Sequence, residues 1–248
     1  MSSLTGKTAL VTGSTSGIGR AVAEVLAERG AHVIVSGRDA DRGARTVEAL
    51  RAAGGAADFA PADLAAPGGP GSLARAALAI TGQVDILVNN AGIFPFLPVA
   101  DTTEEVFDSI YAVNVKAPFF LVAELAPKMA ERGGGAIVNI STVVSRQAAK
   151  DVVAYASSKA ALNNLTQSWT AEYAPSGIRV NTVSPGAIAT EGTRDMLAVT
   201  GEDFAKTVPS RRIGTPGDIA AAVAFLVSDD ADYVHGAYIA VDGGIGAF

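Results

Sequence analysis

Short runs rich in Val and Ile alternate along this chain with longer, alanine-rich stretches whose apolar residues recur at the helical period. The apolar runs predict strands at about 8–11, 31–36, 56–61, 86–89, 136–140, 179–183 and 238–241. The helical patterns lie at about 18–29, 40–53, 72–81, 103–112, 115–131, 152–174 and 216–228. Because strands that alternate with helices form βα units, we predict a doubly wound α/β fold, with a seven-stranded parallel sheet flanked by helices on both faces. Residues 1–248 are expected to form a single domain.

Two regions depart from this alternation. The stretch 66–71 is the richest in glycine and proline, and because it lies between a strand and a helix we interpret it as a surface loop. Residues 187–210 contain Gly192, Gly201 and Pro209, which are expected to interrupt short helical pieces. Such a segment is typical of a mobile lid over a substrate pocket, although an ordinary long connection has the same appearance. We call residues 187–210 the lid segment.

Composition excludes several classes of function. The chain has 25 acidic and 19 basic residues and a formal net charge of −6, which argues against binding of nucleic acid. It has no cysteine and only two histidines, so we expect no thiol nucleophile and no metal site. Its longest apolar run, 219–227, is about half of a membrane span, and no secretory signal is visible at its start. These features predict a cytoplasmic protein that binds a small molecule and no membrane.

The first predicted strand runs into a glycine-rich turn and then a helix. Backbone amides at such a helix start bind a pyrophosphate, so this turn is a candidate dinucleotide site. The residues expected to contact the cofactor are Gly13, Ser14, Thr15, Ser16, Gly17, Ile18 and Gly19. The spacing Gly-x3-Gly-x-Gly differs from the commoner fingerprint, and a tight turn that needs positive φ would use the same glycines.

The end of the second predicted strand discriminates between the nicotinamide cofactors. An acidic residue there accepts a hydrogen bond from the ribose 2′-hydroxyl and repels a 2′-phosphate. Here the chain has Ser36, Gly37 and Arg38, so NADP(H) is favoured over NAD(H). The alternative is that Arg38 is a solvated loop residue paired with the neighbouring Asp39.

Tyr155 and Lys159 lie four residues apart at the start of a long helical pattern, which places both on one helix face. An ammonium beside a phenol favours the phenolate, so the tyrosine could exchange a proton nearer neutral pH. The pair alone is too short a motif to specify a function, and its meaning depends on the rest of the chain.

Further motifs lie along the chain, most of them at the ends of predicted strands. They are Thr12–Gly19, Asp63-Leu64, Asn89–Gly92, Asn114, Tyr155 with Lys159, Pro185-Gly186-x3-Thr190 and Val241–Gly244. With these motifs the chain resembles the short-chain dehydrogenase/reductase family over essentially its whole length. Within that family it looks most like 3-oxoacyl-[acyl-carrier-protein] reductase-like members. The resemblance implies a Rossmann fold and an NADP(H)-dependent enzyme that interconverts a ketone and a secondary alcohol by hydride transfer.

The resemblance also implies roles for individual residues. Tyr155 would be the general acid in reduction, and Lys159 would bind the ribose hydroxyls and lower the pKa of the tyrosine. Asn114 would hold a water that connects Lys159 to solvent. The other implied cofactor contacts are Asp63 and Leu64 at the adenine, Asn90, Ala91 and Gly92 on the adenosine side, and Pro185, Gly186, Ile188 and Thr190 at the nicotinamide.

One position departs from the family pattern. Family members usually have a serine thirteen residues before the catalytic tyrosine, and here that residue is Thr142. A threonine hydroxyl offers the same donor and acceptor, while its methyl group narrows the pocket. Ser141 and Ser145 are the alternatives for this role, the first if alternation along the strand fails and the second if the loop bends unusually.

Two further expectations concern function and assembly. The Thr142 departure and Arg146, in a loop that is usually small in relatives, also fit a non-catalytic nucleotide-binding regulatory or scaffold protein. The resemblance implies a homotetramer with contacts through helices at 103–131 and 152–174 and through the glycine-rich C-terminal tail. The partner is expected to be a small carbonyl or alcohol substrate, whose identity the sequence does not give.

Overall fold

The computed structural model describes residues 3–247, and within them the strands form one parallel sheet. The strands are β1 (Thr8–Thr12), β2 (His32–Gly37), β3 (Ala56–Pro61), β4 (Ile86–Asn89), β5 (Gly135–Ile140), β6 (Ile178–Pro185) and β7 (Tyr238–Val241). Their order is β3-β2-β1-β4-β5-β6-β7, and every neighbouring pair is parallel. The predicted seven-stranded parallel sheet is confirmed, with strand ends within two residues of those expected from the sequence.

Apart from the helix in the lid segment, the main helices follow the predicted pattern closely. They are α1 (Gly17–Glu28), α2 (Ala40–Ala52), α3 (Gly69–Thr81), α4 (Glu104–Tyr111), α5 (Ala117–Glu131), α6 (Val153–Tyr173), α7 (Arg194–Thr207) and α8 (Pro216–Leu226). A π-helical turn, Ala112–Lys116, joins α4 to α5. Helix α3 starts three residues earlier than expected, because Pro70 fits the first turn of a helix, where its missing N–H is not needed.

Helices cover both faces of the sheet. On one face α1 and α8 contribute Val22, Leu26 and Val223 to a core cluster that is closed to solvent. On the other face α3 and α5 contribute Leu73 and Leu121 to a second cluster. Full burial of one such side chain stabilises the fold by about 1.5–3 kcal/mol. Because the central strands are buried from both sides, β1, β2, β4 and β5 have apolar runs at their centres. β6 differs, since it also buries the polar residues Arg179, Asn181, Thr182 and Ser184.

The helical stretch Glu104–Glu131 is long and apolar enough, by length and composition alone, to cross a membrane. Its buried side chains, among them Leu121 and Leu125, pack in the core cluster beneath the sheet. The sequence did not predict such a stretch, because Pro118 and Pro127 and several charged residues interrupt its apolar runs.

The lid segment follows β6, and the chain comes back beside the start of this segment at Gly214. Its base is a short parallel bridge, in which Ala189 N–H donates to Gly214 O at 2.9 Å and Gly214 N–H donates to Ala187 O at 3.0 Å. The expectation that Gly201 interrupts helical pieces is wrong, because α7 continues through it. A single glycine costs a helix only about 1 kcal/mol relative to alanine, which neighbouring turns can offset.

The strand order reverses between β1 and β4. From β1 the chain proceeds outward to β2 and β3, and from β4 it proceeds to the opposite edge. The connections at the carboxyl ends of β1 and β4 therefore diverge and leave a crevice, which is where ligands bind in open α/β sheets.

Candidate active site

A cleft of about 710 Å³ lies at the carboxyl ends of the central strands. Every residue that the sequence predicted for catalysis or cofactor binding lines this cleft, except Ser14 and Asn114. The cleft continues between the loop after β5 and the lid segment, where Phe94, Val144 and Phe204 contribute to its wall.

The glycine turn closes tightly on its neighbours. Gly13 has a φ of +63°, a conformation that L side chains rarely adopt. A Cβ at Gly19 would overlap the carbonyl oxygen of Gly13 and the amide nitrogen of Asn90. Ser16, the N-cap residue of α1, makes no side-chain capping hydrogen bond within the described chain. The first amides of α1 therefore have no side-chain cap, and the predicted binding of a pyrophosphate there stays a prediction.

Two polar side chains hold this turn against the loop after β4. Asn90 Nδ2 donates to the carbonyl oxygens of Thr12 and Gly13 at 2.9 and 3.1 Å. In return, Thr12 Oγ1 accepts hydrogen bonds from the backbone N–H groups of Asn90 and Ala91, both at 3.0 Å. The Asn90 amide is thus used in shaping the turn, although the residue also lines the cleft.

The structure corrects the expectation for Ser14. This residue is completely buried and does not line the cleft. Its hydroxyl donates to Val11 O at 2.6 Å and accepts from Ser36 N–H at 3.0 Å. Ser14 therefore links the glycine turn to β2 by hydrogen bonds on the side away from the cleft. The sequence motif alone does not separate this role from a contact with the cofactor.

Arg38 lines the cleft at the end of β2 and is exposed. Asp39, its alternative partner in the sequence interpretation, is instead the N-cap of α2 and accepts a hydrogen bond from Arg42 N–H at 2.9 Å. That hydrogen bond is the main cause that lowers the pKa of Asp39. Within residues 3–247 Arg38 forms no ion pair with a carboxylate, so its guanidinium is available to an anion in the cleft.

Tyr155 lies in the first turn of α6, deep in the cleft. Burial raises the pKa of this phenol to about 12, although a hydrogen bond with the Thr142 side chain by itself lowers the pKa. The ring of Phe94 lies 6.1 Å from the Tyr155 ring, centroid to centroid, and forms part of the apolar surroundings. Tyr155 is therefore fully protonated at neutral pH and can donate its proton.

Lys159 lies one turn further along α6 and is almost completely buried. Its Nζ donates to Ile140 O at 2.8 Å, and burial lowers its pKa to about 8. The expectation that Lys159 lowers the pKa of Tyr155 is not met here, because the burial of the phenol outweighs other influences. Gly92 leaves the space that Lys159 Nζ occupies, since a Cβ there would come within 3.4 Å of this atom.

Asn114 lies in the π-helical turn, outside the cleft lining and closed to solvent. Its Oδ1 accepts from Ile93 N–H at 3.0 Å, and its Nδ2 donates to Ile93 O and Ser158 Oγ, both at 3.0 Å. The side chain thus fastens the loop after β4 to α6. Its amide is used by these protein groups, and the water that Asn114 is expected to hold for Lys159 stays a prediction.

The loop after β5 separates the three candidate hydroxyls. Ser145 Oγ donates to Thr142 O at 2.6 Å and accepts from Asn163 Nδ2 at 2.9 Å. Ser141 Oγ donates to Ser145 Oγ at 3.3 Å. Both serines are therefore engaged with one another and with the loop, and Thr142 presents the hydroxyl that meets Tyr155.

One aromatic residue near the site was missed by sequence reasoning. Tyr238, in β7, has its Oη 2.6 Å from Ser184 Oγ and donates weakly to Thr142 O at 3.4 Å. The guanidinium of Arg146 lies 3.7 Å above the centre of the Tyr238 ring. In the sequence Tyr238 looks like an ordinary strand residue, and only the sheet brings it to Thr142.

Comparisons with known proteins agree with this geometry. A family model described as enoyl-(acyl carrier protein) reductase matches residues 13–246. Dehydrogenase/reductase SDR family member 4 from Homo sapiens is 38% identical over 244 residues, which cover 97% of this chain and 88% of that protein.

Solved structures are also similar over nearly the whole chain. A gluconate 5-dehydrogenase from Burkholderia cenocepacia, in complex with NADP and tartrate, has a TM-score of 0.94 and 34% identity, covering 99% of this chain and 97% of that chain. A 3-oxoacyl (acyl-carrier-protein) reductase from Agrobacterium tumefaciens with NADP bound has a TM-score of 0.92 and 34% identity, covering 97% of this chain and 95% of that chain.

Proposed function

Because this chain belongs to the short-chain dehydrogenase/reductase family, we propose that it is an NADP(H)-dependent oxidoreductase that interconverts a ketone and a secondary alcohol. The observation that carries the proposal is the meeting of the Thr142 and Tyr155 hydroxyls in the cleft that begins at the glycine turn. A substrate oxygen that reaches both hydroxyls is held by two hydrogen-bond donors, one of which can give up its proton.

The residues present fit a nicotinamide dinucleotide. The uncapped start of α1 provides amides for the pyrophosphate, and the absence of side chains at Gly13 and Gly19 allows the tight turn that leads into this helix. Asp63 and Leu64 border the adenine end of the cleft, and Lys159 lies where it would bind ribose hydroxyls. When bound, the nicotinamide supplies or accepts the hydride.

The protein's own part in the reaction is to position the substrate oxygen and to move one proton. In reduction Tyr155 Oη donates a proton to the substrate oxygen, while the Thr142 hydroxyl donates a hydrogen bond to it. The ammonium of Lys159 favours the phenolate that Tyr155 then becomes. Asn114 acts from a distance, since it holds the backbone of Ile93 and the hydroxyl of Ser158 beside the site.

Preference for NADP(H) is supported by Arg38, which faces the cleft without a carboxylate partner in the described chain. A guanidinium binds a phosphate through charge-assisted hydrogen bonds, whereas a ribose hydroxyl gains little from it. Two of the similar solved structures contain NADP. The same two proteins carry different substrate names at equal identity, so similarity does not select the ketone.

We also propose a homotetramer. Phe107 of α4 and Phe119 and Phe120 of α5 are each more than two-fifths exposed. Such a group of exposed aromatic side chains is typical of an interaction surface. Sedimentation should then give a mass of about four times the 25.0 kDa of one chain, and a mass of one chain would overturn this assembly.

The first experiment is a fluorescence titration of the purified protein with NADPH and with NADH, followed by turnover assays. The assay panel contains ketones, a 3-oxoacyl thioester and, as a contrast, a 2-enoyl thioester. We expect tighter binding of NADPH and oxidation of NADPH by a ketone. Binding without any turnover would favour the non-catalytic regulatory or scaffold alternative.

Tyr155→Phe is the matched variant for the catalytic proposal, because it removes only the phenolic hydroxyl. We expect kcat to fall by about 10² or more while the Kd for NADPH changes little. Thermal denaturation of both proteins checks that the variant is folded. A folded variant that retains wild-type kcat would contradict the role of Tyr155.

A further inference from the structure

A second, basic groove of about 250 Å³ opens beside the cofactor cleft. Three arginines from α1 and α2 line it, Arg20, Arg42 and Arg45, together with Thr15 and Glu191. Arg42 and Glu191 also line the main cleft, so the two cavities meet at these residues. None of the sequence motifs includes Arg42 or Glu191.

The Arg42 side chain is shared between two carboxylates. Its Nη1 lies 3.7 Å from Glu191 Oε2, and its Nε lies 3.5 Å from Asp39 Oδ2. Arg42 lies in the first turn of α2, whereas Glu191 follows Thr190 at the start of the lid segment. The contact between Arg42 and Glu191 therefore joins two elements that are far apart in sequence across the mouth of the cleft.

These ion pairs are weak, so another anion can replace the carboxylates as the partner of Arg42. The side chains of Arg42, Asp39 and Glu191 are all about half exposed, and solvent screens such pairs strongly. Both distances to Arg42 exceed that of a good charge-assisted hydrogen bond, which is about 2.7–2.9 Å. A doubly charged phosphate in the cleft would offer the guanidinium a stronger partner.

Arg42 lies beside the end of β2, where the adenosine ribose of a dinucleotide binds in this type of fold. Thr15 of the glycine turn packs against Gly37, where a Cβ would come within 2.8 Å of Thr15 Cγ2. Arg38 follows directly at the end of β2, and Arg42 lies in the first turn of α2, just past the N-cap residue Asp39. Both side chains line the main cleft, Arg38 from the end of β2 and Arg42 from the start of α2.

We propose that Arg42 is a second ligand of the 2′-phosphate of NADP(H), and that Glu191 lowers the affinity for this cofactor by competing for Arg42. Both residues then determine cofactor specificity. The inference rests on the proposed NADP(H)-dependent function. NAD(H) carries a hydroxyl at this position and leaves the contact between Arg42 and Glu191 in place.

The test measures the Kd values of NADPH and NADH for the wild-type protein and the variants Arg42→Gln, Glu191→Gln and the double variant. Arg42→Gln should weaken NADPH binding by about tenfold, the loss of one charge-assisted contact, and leave NADH binding within twofold. Glu191→Gln should tighten NADPH binding by about two- to threefold. In the double variant this gain should disappear, because Glu191 acts through Arg42.

Arg45→Gln is the control, because Arg45 lines the same groove on the same helix but makes no ion pair with Glu191 in the described chain. It should change the NADPH affinity much less than Arg42→Gln. Equal losses from both variants would mean that only the general positive potential of the groove matters, and would overturn the inference.

The outcomes separate the two proposals. If the wild type prefers NADPH and Arg42→Gln leaves the ratio of the two Kd values unchanged, the inference is wrong and the proposed function stands. If Arg42→Gln weakens NADPH and NADH equally, Arg42 does not recognise the 2′-phosphate, and the inference is again wrong. A wild-type protein without preference for NADPH would overturn the inference together with the cofactor proposal.

Discussion

The cofactor half and the substrate half of the cleft are held by contacts of different range. Around the glycine turn, Thr12, Ser14 and Asn90 form hydrogen bonds of 2.6 to 3.1 Å within the ends of β1, β2 and β4. On the substrate side, Arg146 contacts the ring of Tyr238, and Gln147 Nε2 donates to Ile245 O at 3.2 Å. These contacts join a loop to the carboxyl-terminal strand and tail.

The comparison shows where variation is tolerated. In the cofactor half, backbone geometry leaves little choice of residue, because a side chain at Gly19 would collide with the backbone. In the substrate half, exposed or half-buried side chains determine the shape, and these can change without disturbing the sheet. Recognition of the cofactor is therefore built into the fold, while recognition of the substrate is added by loops.

Lys159 lies where the cofactor half and the substrate half of the cleft meet. We expect its titration to have the largest effect, a change in the free energy of unfolding with pH. Its pKa is about 8 in the folded protein and 10.5 when unperturbed, so between these values the unfolded chain holds more protons. The free energy of unfolding should therefore rise with pH in this window, by about 3 kcal/mol if the whole shift is realised. Urea denaturation between pH 7.5 and 10 measures it.

Lys159→Met is the control for this rise, because it retains an unbranched side chain without the charge. The variant should lose the increase in stability between pH 8 and 10. The raised pKa of Tyr155 acts in the opposite sense, since the folded protein keeps that proton longer, and it lowers stability only above pH 10. A wild-type stability that is flat from pH 8 to 10 would contradict the burial of a neutralised lysine.

Thr142 tests the substrate half alone. Thr142→Ala should lower kcat by about 10², because one donor to the developing oxyanion is lost, and should leave the Kd for NADPH unchanged. Thr142→Ser restores the hydroxyl without the methyl group and should keep kcat within a fewfold of the wild type. Equal losses in both variants would show that the methyl group, and not the hydroxyl, is what the site requires.

Gly19 tests the cofactor half alone. Gly19→Ala places a Cβ against the carbonyl oxygen of Gly13, so we expect stability to fall by about 1–3 kcal/mol and the Kd for NADPH to rise about tenfold. Gly82→Ala is a control for the loss of a glycine, because nothing lies within 4 Å of its Cβ position. Gly82→Ala places alanine at a φ of +74°, which strains the backbone, but it should leave NADPH binding unchanged.

Tyr238 should have the smallest effect, since it acts through another residue. Tyr238→Phe removes the hydrogen bonds of its Oη to Ser184 and Thr142 while keeping the ring beneath Arg146. We expect a two- to fivefold decrease in kcat, in keeping with about 1 kcal/mol for one hydrogen bond. In a Thr142→Ala background the change should vanish, whereas an undiminished decrease would indicate a role unrelated to Thr142.

Much of the fold could be predicted from short-range patterns. Strand positions followed from runs of Val and Ile, and the glycine turn from the spacing Gly-x3-Gly-x-Gly at the end of the first strand. The predictions that failed concern burial and partners. Ser14 belongs to the right motif, yet its hydroxyl lies beneath the turn, where it bonds to Val11 O and Ser36 N–H. A motif predicts where a residue lies in the fold, whereas packing determines which way its side chain points.

By itself, the sequence determined the parallel sheet, the turn at Gly13–Gly19 and the helix that carries Tyr155 and Lys159, because periodicity and backbone freedom act over a few residues. Only the tertiary structure decided that Thr142 meets Tyr155, that burial sets both pKa values, and that Arg42 contacts Glu191. These properties depend on distances and solvent access between segments far apart in the chain, which the folded packing alone creates.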